Sequence, residues 1–398
     1  STTAYWNSCY EAISAANQAL EAIEKGNFGD AALPYKGEAL VARAYAHFML
    51  VTFFSKAYVI KGDNDSPGIP YVTAPEKKVI VQYDRETVTS TYAKIKKDLE
   101  EGLPLLSASV YSVPKYHFTP AAAHAFASRF YLFMGDWEKV IEHATATVPG
   151  GDFFNNLRPL NSTYKAYSGD EFKLAFTRAD QKATLLLAEQ NSGWQNFFTP
   201  RYGYGNRLSK MFDERGNFTG KKRADKIGWY TANDIAHYTT GKFKEYFFRT
   251  SPNAITGFGY LIAPLLTVDE SLLNRAEAYA ELGQLENALK DMDTFLSTKI
   301  ENYNPNTDQA TLDKLFVFYN INDPKARVIH FILESKKAEF LQEGLRWLDQ
   351  SRRRMVIRHN VYDSFGTETF IELNPDDPRR VFQIPQEASL SGVPLNPR

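Results

Sequence analysis

The sequence is poor in cysteine, with only Cys9 among 398 residues. A single cysteine excludes a disulfide framework and a cysteine-rich metal site, so the fold must be stabilised by packing. The sequence also lacks an excess of charge of either sign, since 46 lysines and arginines nearly balance 47 aspartates and glutamates. Electrostatic binding of nucleic acids needs a concentrated basic face, so we expect no nucleic-acid partner.

Long hydrophobic runs are missing as well. No segment approaches the roughly 18 consecutive apolar residues of a membrane-spanning helix. The first residues, from Ser1 to Ala4, have neither the basic region nor the apolar region of a signal peptide. We therefore expect a soluble chain, which is mature, trimmed or cytosolic.

Signatures of catalysis and of cofactor binding are absent from the sequence. It contains no His-Glu-x-x-His, Gly-x-Ser-x-Gly, Walker or Cys-x-x-Cys motif. His47 and His124 lie in mostly apolar segments and are interpreted as hydrogen-bonded core side chains. Asp63 and Asp65 fit the first and third positions of a calcium loop, but a proline, Pro67, stands at the fifth. We therefore predict a protein without catalytic residues, cofactor or metal.

One pair of carboxylates needs a separate interpretation. Glu339 and Glu343 are four residues apart, and glycosidases use paired carboxylates as acid and as nucleophile or base. On one face of a helix their separation depends on side-chain rotamers and not on a cleft, so we interpret them as structural partners of Arg346 or of backbone amides. Residues 352–354 are three arginines, which suit the C-terminal end of a helix; a site for phosphate or another anionic partner is the alternative.

Helical periodicity of apolar residues dominates both ends of the chain. It predicts helices over residues 10–25, 36–54, 85–99, 120–134, 138–146, 268–282, 285–296 and 324–355, the last interrupted near Gly344. Two of these regions match each other, because Tyr131 and Tyr279 each stand four residues before a glycine, Gly135 or Gly283. This spacing is typical of the helix pairs of tetratricopeptide repeats.

The middle of the chain, residues 151–260, has a different texture. Glycine, proline, asparagine and short alternating apolar patches predict loops and short strands there. Aromatic residues occupy 22 of these 110 positions, against 34 of the other 288. We call this segment the insert, and its surplus of aromatic side chains exceeds what a helical core needs.

Part of the insert has the composition of a sugar-binding site, because sugar rings bind to flat aromatic platforms beside planar polar side chains. The candidate ligand contacts are Trp194, Asn196, Tyr202, Tyr204, Trp229 and Tyr230. Four phenylalanines of the insert are instead interpreted as local core, namely Phe197, Phe198, Phe247 and Phe248.

Five segments, in order along the chain, resemble the SusD/RagB family of Bacteroidetes surface lipoproteins, which capture nutrients, mostly glycans, at the outer membrane. The matching residues are Trp6, Tyr10, Ile13, Ala16 and Asn17; Gly37 to Ala39, Arg43 to Tyr45, Leu50 and Val51; Pro264 to Leu266, Glu270, Leu273, Arg275 to Tyr279 and Gly283; Glu339, Phe340, Glu343, Gly344, Arg346, Trp347 and Asp349; and Ile384, Pro385, Glu387, Asn396 and Pro397. Residues 54–58 depart from the family's usual turn, and the family's lipid-bearing cysteine before the first helix is not in this sequence.

The resemblance implies a mainly α fold in one SusD-like unit, residues 1–398. A tetratricopeptide-like scaffold of about four helix pairs would cover residues 1–150 and 261–360, with the loop-rich, short-strand insert at 151–260 and an irregular C-terminal segment at 361–398. The resemblance also implies non-catalytic capture of an oligosaccharide, a polysaccharide or another nutrient at the cell surface and its delivery to a SusC-like TonB-dependent outer-membrane transporter. The membrane anchor would be an N-terminal lipid outside this chain.

Two other functions stay open from the residues themselves. A tetratricopeptide-type adaptor would bind a peptide or protein partner in a groove of the scaffold, and the aromatic insert would then be core. A hydrolase would cleave the same glycans, although the sequence offers no convincing acid and base pair.

Overall fold

A computed structural model describes residues 1–77, 81–191, 205, 209–232, 235–363, 365 and 367–398. The chain forms two compact units. Unit 1 consists of residues 1–110, 133–135 and 344–398, and unit 2 consists of residues 111–132 and 136–343. The described residues are mainly helical with small sheets, which confirms the predicted fold class. None of their helices is long and apolar enough to cross a bilayer.

Most helices fall close to the predicted segments. Their bounds are α1 (Thr2–Gly26), α2 (Leu33–Phe54), α3 (Val88–Gly102), α4 (Pro120–Met134), α5 (Trp137–Thr145), α6 (Gly169–Thr177), α7 (Val268–Glu281), α8 (Leu285–Lys299), α9 (Leu312–Tyr319), α10 (Pro324–Glu339), α11 (Leu345–Arg352) and α12 (Gln386–Leu390). α6 lies in the insert, where apolar periodicity predicts no helix. It begins with a capping box, in which Ser168 and Glu171 each bind the backbone N–H of the other.

In unit 1, α2 has buried residues on nearly all its sides, as its small polar fraction predicts. Gly37 on α2 faces Gly102 at the end of α3, and a Cβ atom on either would lie 2.7 or 2.8 Å from the carbonyl oxygen of the other. The two helices therefore approach closely because both positions lack a side chain. At the other end of α2, the ring of Phe54 meets that of Trp6 edge to face at 4.9 Å, so Trp6 is a packing residue.

The predicted repeat is confirmed at two turns. Gly135 joins α4 to α5 and Gly283 joins α7 to α8, with φ angles of 75° and 76° that glycine adopts without strain. The same backbone hydrogen bond spans each turn: Asp136 N donates to Tyr131 O at 3.1 Å, and the equivalent acceptor at the second turn is Tyr279 O at 2.8 Å. The tyrosine–glycine spacing therefore marks the same helix–turn–helix in both places.

The strands of the described residues form three small sheets. Their bounds are β1 (Thr184–Asn191), β2 (Ile227–Ala232), β3 (Ile235–Thr240), β4 (Glu245–Arg249), β5 (Gly257–Thr267), β6 (Ile357–Tyr362) and β7 (Glu368–Leu373). The first sheet has the order β1–β5–β4 with antiparallel neighbours, while β2 pairs with β3 and β6 with β7. The first sheet packs on a core made of insert residues and of Leu261 from β5. The insert residues of this core are Leu160, Tyr164, Phe172, Ala175, Phe176, Ala224 and Phe243.

Residues 361–398, for which the sequence predicts irregular structure, contain β7 and α12. β6 and β7 form a hairpin in which Ile357 pairs with Leu373. Val361, Phe370 and Ile371 on this hairpin are all exposed. Because none of the described side chains of this hairpin is buried, no core face imposes an alternation of apolar and polar residues on them, and the strand pattern is hard to detect in the sequence.

The two carboxylates at the end of α10 pair with buried cations. Glu339 Oε2 accepts from Arg223 Nη2 at 2.8 Å, and Glu343 Oε1 accepts from Lys242 Nζ at 2.6 Å. Both cations belong to the insert. The two carboxylates are therefore structural, as predicted, but their partners are these cations and not Arg346 or backbone amides. Burial alone raises the pKa of Glu339, but the neighbouring cations outweigh burial and hold this pKa at about 2.

Candidate functional site

The predicted ligand contacts can be placed only in part. Four of them, Trp194, Asn196, Tyr202 and Tyr204, lie outside the described residues, as do Phe197 and Phe198. Trp229 and Tyr230 lie on β2, where each pairs with a residue of β3, and their side chains are outside the described part of the chain. The assignment of all six contacts to a ligand site therefore stays a prediction.

The described part of the insert has an aromatic surface elsewhere, on the sheet β1–β5–β4. Tyr246 on β4 is the register partner of Tyr260 on β5, which in turn pairs with Asn191 at the end of β1. Directly opposed residues of antiparallel strands project from the same face of a sheet. The rings of Tyr246 and Tyr260 are stacked, with centroids 5.3 Å apart and planes at 20°. Lys244 Nζ lies 5.6 Å from the centre of the Tyr246 ring.

The same face continues toward the tip of the β4–β5 hairpin. Phe248 and Phe258 are register partners two residues beyond the tyrosines, so the alternation of side chains along a strand puts them on the same face. Each is 60% exposed. Phenylalanine rings of this exposure contribute little to a core and are available for contact with another molecule.

The interpretation of Phe247 and Phe248 as local core is wrong. Phe247 is 56% exposed, whereas Phe243 is 7% exposed and packs in the core with Phe176 and Leu261. The hairpin continues beyond this core after Phe243. A local run of phenylalanines does not reveal where that happens, because the end of the core depends on residues distant in sequence.

A residue outside the insert, Tyr116, stands beside the two stacked tyrosines. The turn that ends at Tyr116 is held by Lys115, whose Nζ donates to the backbone of β1. Burial raises the pKa of the Tyr116 hydroxyl, and the neighbouring Glu189, Tyr246 and Tyr260 raise it further. Tyr116 nevertheless stays 40% exposed. The three tyrosines and the Glu189 carboxylate therefore share one surface of unit 2.

We call this surface the aromatic face, and its members are Tyr116, Tyr246, Phe248, Phe258 and Tyr260. Its rings can stack on the C–H bonds of a sugar, while the tyrosine hydroxyls, the Glu189 carboxylate and the Asn191 amide can exchange hydrogen bonds with sugar hydroxyls. Among the described residues, no group of three histidine, cysteine or acidic side chains could hold a metal ion.

The sequence contains a pattern from which most residues of the aromatic face could have been predicted. Tyr246 and Phe248 alternate with other residues, and Phe258 and Tyr260 alternate with glycine, which is the period of a strand with one aromatic side. Tyr116 carries no such signal, because it reaches the face only through the packing of its turn against β1.

Known proteins resemble this chain in sequence at one end and in fold along its length. Residues 1–132 match the SusD-like family model that is described as starch-binding and associating with the outer membrane. No curated protein matches the sequence.

Three solved structures illustrate the shared fold. A SusD superfamily protein from Bacteroides vulgatus is 19% identical, with 99% of this chain and 84% of that chain covered and a TM-score of 0.71. A putative sugar binding protein from the same species is 18% identical, with 99% and 84% covered and a TM-score of 0.68. A laminarin binding SusD-like protein is 15% identical, with 99% and 85% covered and a TM-score of 0.59. The first 132 residues of the chain therefore match the SusD-like family model, and the chain has the fold of these solved structures along nearly its whole length.

Proposed function

We propose that this protein binds a carbohydrate on the aromatic face without altering it chemically. The observation that carries the proposal is the half-buried stack of Tyr246 and Tyr260, continued by the exposed Phe248 and Phe258 and bordered by Glu189. Aromatic side chains bring a large contact area at a low cost in side-chain entropy. The bordering polar groups can satisfy the hydroxyls that a sugar brings with it.

The comparisons support a carbohydrate as the ligand. The matching family model is described as starch-binding, and one structural relative binds laminarin. The predicted contacts Trp194 and Asn196 follow Asn191 closely in the sequence, and their role as ligand contacts stays a prediction.

We further propose that the bound glycan is delivered to a SusC-like TonB-dependent transporter at the outer-membrane surface, with a lipid as the membrane anchor. The family description, which includes association with the outer membrane, supports this role. Delivery requires release, so we expect an affinity of about micromolar or weaker. The pairing of Glu339 and Glu343 with buried cations supports a role without catalysis.

Calorimetry and affinity electrophoresis with a panel of soluble glycans, including starch and laminarin fragments, test the proposal. We expect at least one glycan to bind and the variant Tyr246→Ala to weaken its binding. Phe154→Ala is the matched control, because Phe154 is 57% exposed in unit 2 and lies outside the aromatic face. If no glycan of the panel binds, or if Tyr246→Ala binds a glycan as tightly as the unchanged protein does, the aromatic face does not have this function. Release of new reducing ends would instead indicate a hydrolase.

A protein or peptide partner is the second candidate, because α9 exposes apolar side chains. Val317 is 83% exposed, and its neighbours Phe316 and Phe318 are 41% and 38% exposed. Three adjacent apolar residues of this exposure are unusual on a surface that meets only water. Peptide-array binding that is lost in Val317→Asp would favour this candidate.

A further inference from the structure

Unit 1 contains a cavity of about 710 Å³, a volume within the range of about 300–1,000 Å³ that is usual for small-molecule sites. The end of α2, the loop that follows it, the end of α11 and the C-terminal segment form its walls. The lining residues that matter most are Ser55, Lys56, Asp63, Asp65, Arg354 and Arg380. None of the described residues that line it is aromatic, so the cavity differs in chemistry from the aromatic face of unit 2.

The loop on one side of the cavity is held in place by its own hydrogen bonds. The Asn64 side chain accepts from Val59 N at 2.7 Å and donates to the carbonyl oxygens of Val59 and Gly62, both at 2.9 Å. Thr89 Oγ1 donates to Asp63 O at 2.8 Å. A wall that is already ordered loses little entropy when a ligand binds.

Arg380 brings a buried positive charge to the cavity. The residue is 7% exposed, and its Nη1 and Nη2 donate to Met355 O and Gln350 O, both at 2.7 Å. Within the described residues no carboxylate lies at ion-pair distance from Arg380. The carboxylates of Asp376 and Asp377 are near enough to favour its positive charge, but they pair with Arg354 and Arg379. Buried charges are usually paired, so the cavity beside Arg380 is the natural place for an external anion.

Two further groups on the wall are available to a ligand. Ser55 is 3% exposed, and its hydroxyl has no hydrogen-bond partner within the described part of the chain. A buried hydroxyl without a partner is uncommon and costs free energy that a ligand can recover. Lys56 is exposed and forms no ion pair with any described residue, so its ammonium group adds a second free positive charge.

The negative charges of the cavity restrict the anion that fits. Asp63 and Asp65 line it without an ion pair among the described residues, and Asp376 and Asp377 line it as well. Asp376 and Asp377 are paired with arginines, but the carboxylates of Asp63 and Asp65 repel a dianion such as phosphate more strongly than a monoanion. The same carboxylates accept hydrogen bonds from hydroxyl groups. A ligand with one carboxylate and several hydroxyls can therefore bind both the positively charged groups and the carboxylates that line the cavity.

We infer that this cavity binds a monoanionic sugar acid, such as a uronic acid, with its carboxylate toward Arg380 and Lys56 and its hydroxyls toward Asp63 and Asp65. The site shares no residue with the aromatic face, and it would give the protein a preference for acidic sugars that the aromatic face alone does not provide. A guanidinium group matches the planar geometry of a carboxylate, which favours Arg380 as the main contact.

Calorimetry of the full chain with sodium galacturonate tests the inference, with galactose, inorganic phosphate and glycine as the other probes. We expect galacturonate to bind at least about tenfold more tightly than galactose, because a charge-assisted hydrogen bond is lost with the carboxylate. Arg380→Gln and Lys56→Gln should each weaken galacturonate binding by about tenfold. Lys61→Gln is the matched control, since Lys61 is exposed in the same loop and does not line the cavity.

Each other outcome overturns the inference. Equal affinities for galacturonate and galactose would show that the carboxylate does not contribute to binding. A loss of galacturonate affinity in Lys61→Gln as large as in Lys56→Gln would indicate unspecific electrostatic attraction. Tighter binding of phosphate or glycine would assign the cavity to another class of ligand. If Arg380→Gln does not fold, Lys56→Gln decides, because Lys56 is exposed. Galacturonate binding that is abolished by Tyr246→Ala belongs to the aromatic face, whose own function is tested separately with neutral glycans.

Discussion

Two regions of this molecule combine tyrosine with amide and charged side chains, and they use the combination in opposite ways. In unit 1, Arg43 donates two hydrogen bonds of 2.7 Å to Asp98 and one of 2.8 Å to Asn17 Oδ1. Tyr71 adds a hydrogen bond of 2.6 Å from its hydroxyl to Asp98. Arg43, Asp98 and Asn17 are all buried. These groups bind each other, so little of their hydrogen-bonding capacity is left for a ligand.

The aromatic face of unit 2 has similar residue types in a different state. Tyr246 and Tyr260 stack on each other at the surface, and Glu189 and Asn191 beside them are exposed. The side chains of Glu189 and Asn191 therefore meet solvent, where a ligand can replace water. Recognition therefore depends on which hydrogen-bonding groups the fold leaves unused, and the composition of a segment does not reveal this.

Removal of the arginine from the buried network should have the most severe consequence. We expect Arg43→Ala to lower the free energy of unfolding by about 3–5 kcal/mol, because it leaves Asp98 as a buried charge without its cation. Urea unfolding followed by circular dichroism measures this loss. Lys25→Ala is the control, since Lys25 pairs with Glu21 at the exposed surface of the same unit, and its unfolding midpoint should not change. Equal midpoints for the two variants would contradict a structural role for the network.

A second consequence of burial in unit 1 is a dependence of stability on pH. His47 is fully buried, with Nδ1 2.9 Å from Arg43 O and Nε2 accepting from Val72 N. This confirms its interpretation as a hydrogen-bonded core side chain. Burial lowers the pKa of His47 to about 3, below the value of about 6.5 expected in the unfolded chain.

The sign of the pH effect follows from this difference. Between pH 6.5 and pH 3 the unfolded chain binds a proton that the folded protein excludes, so stability falls as the pH falls through that window. The loss from this group should reach about 2 kcal/mol at pH 5. We expect His47→Gln to remove that part of the pH dependence, measured as the difference between the two proteins in urea unfolding at pH 7 and pH 5. An identical dependence in both would show that His47 titrates normally.

The aromatic face should respond to substitution in affinity and not in stability. We expect Tyr246→Ala to weaken binding of a glycan identified from the panel by about tenfold, the effect of losing about 1.4 kcal/mol of ring contact. Tyr246→Phe keeps the ring and should retain most of the affinity. Calorimetry on the three proteins separates stacking from hydrogen bonding. A loss in Tyr246→Phe as large as in Tyr246→Ala would assign recognition to the hydroxyl.

The sequence predicts much of the helical scaffold, because helix pairs are encoded locally. The spacing from Tyr131 to Gly135 and from Tyr279 to Gly283 sets both turns, and the small polar fraction of α2 predicts its burial. The helix α6 is missed, although Ser168 and Glu171 carry the signature of a capping box.

The candidate sites depend on contacts that local patterns do not encode. Tyr116 joins the aromatic face only because its turn packs on β1. The β1–β5 pairing sets Asn191 beside Tyr260, although some 70 residues separate them in the chain. The cavity of unit 1 brings Ser55 near Arg380 from opposite ends of the sequence. Such long-range packing follows from the whole fold.

The last contrast lies within a single stretch of the insert, between Phe243 and Phe248. Phe243 is 7% exposed and Phe248 is 60% exposed, so removal of the first ring leaves a cavity and removal of the second leaves only solvent. We expect Phe243→Ala to cost about 3–5 kcal/mol and Phe248→Ala no more than about 0.5 kcal/mol, both measured by urea unfolding. A large cost for Phe248→Ala would mean that the hairpin tip is packed against other residues. The aromatic face would then lack the free surface that glycan binding requires, whatever the composition of the insert.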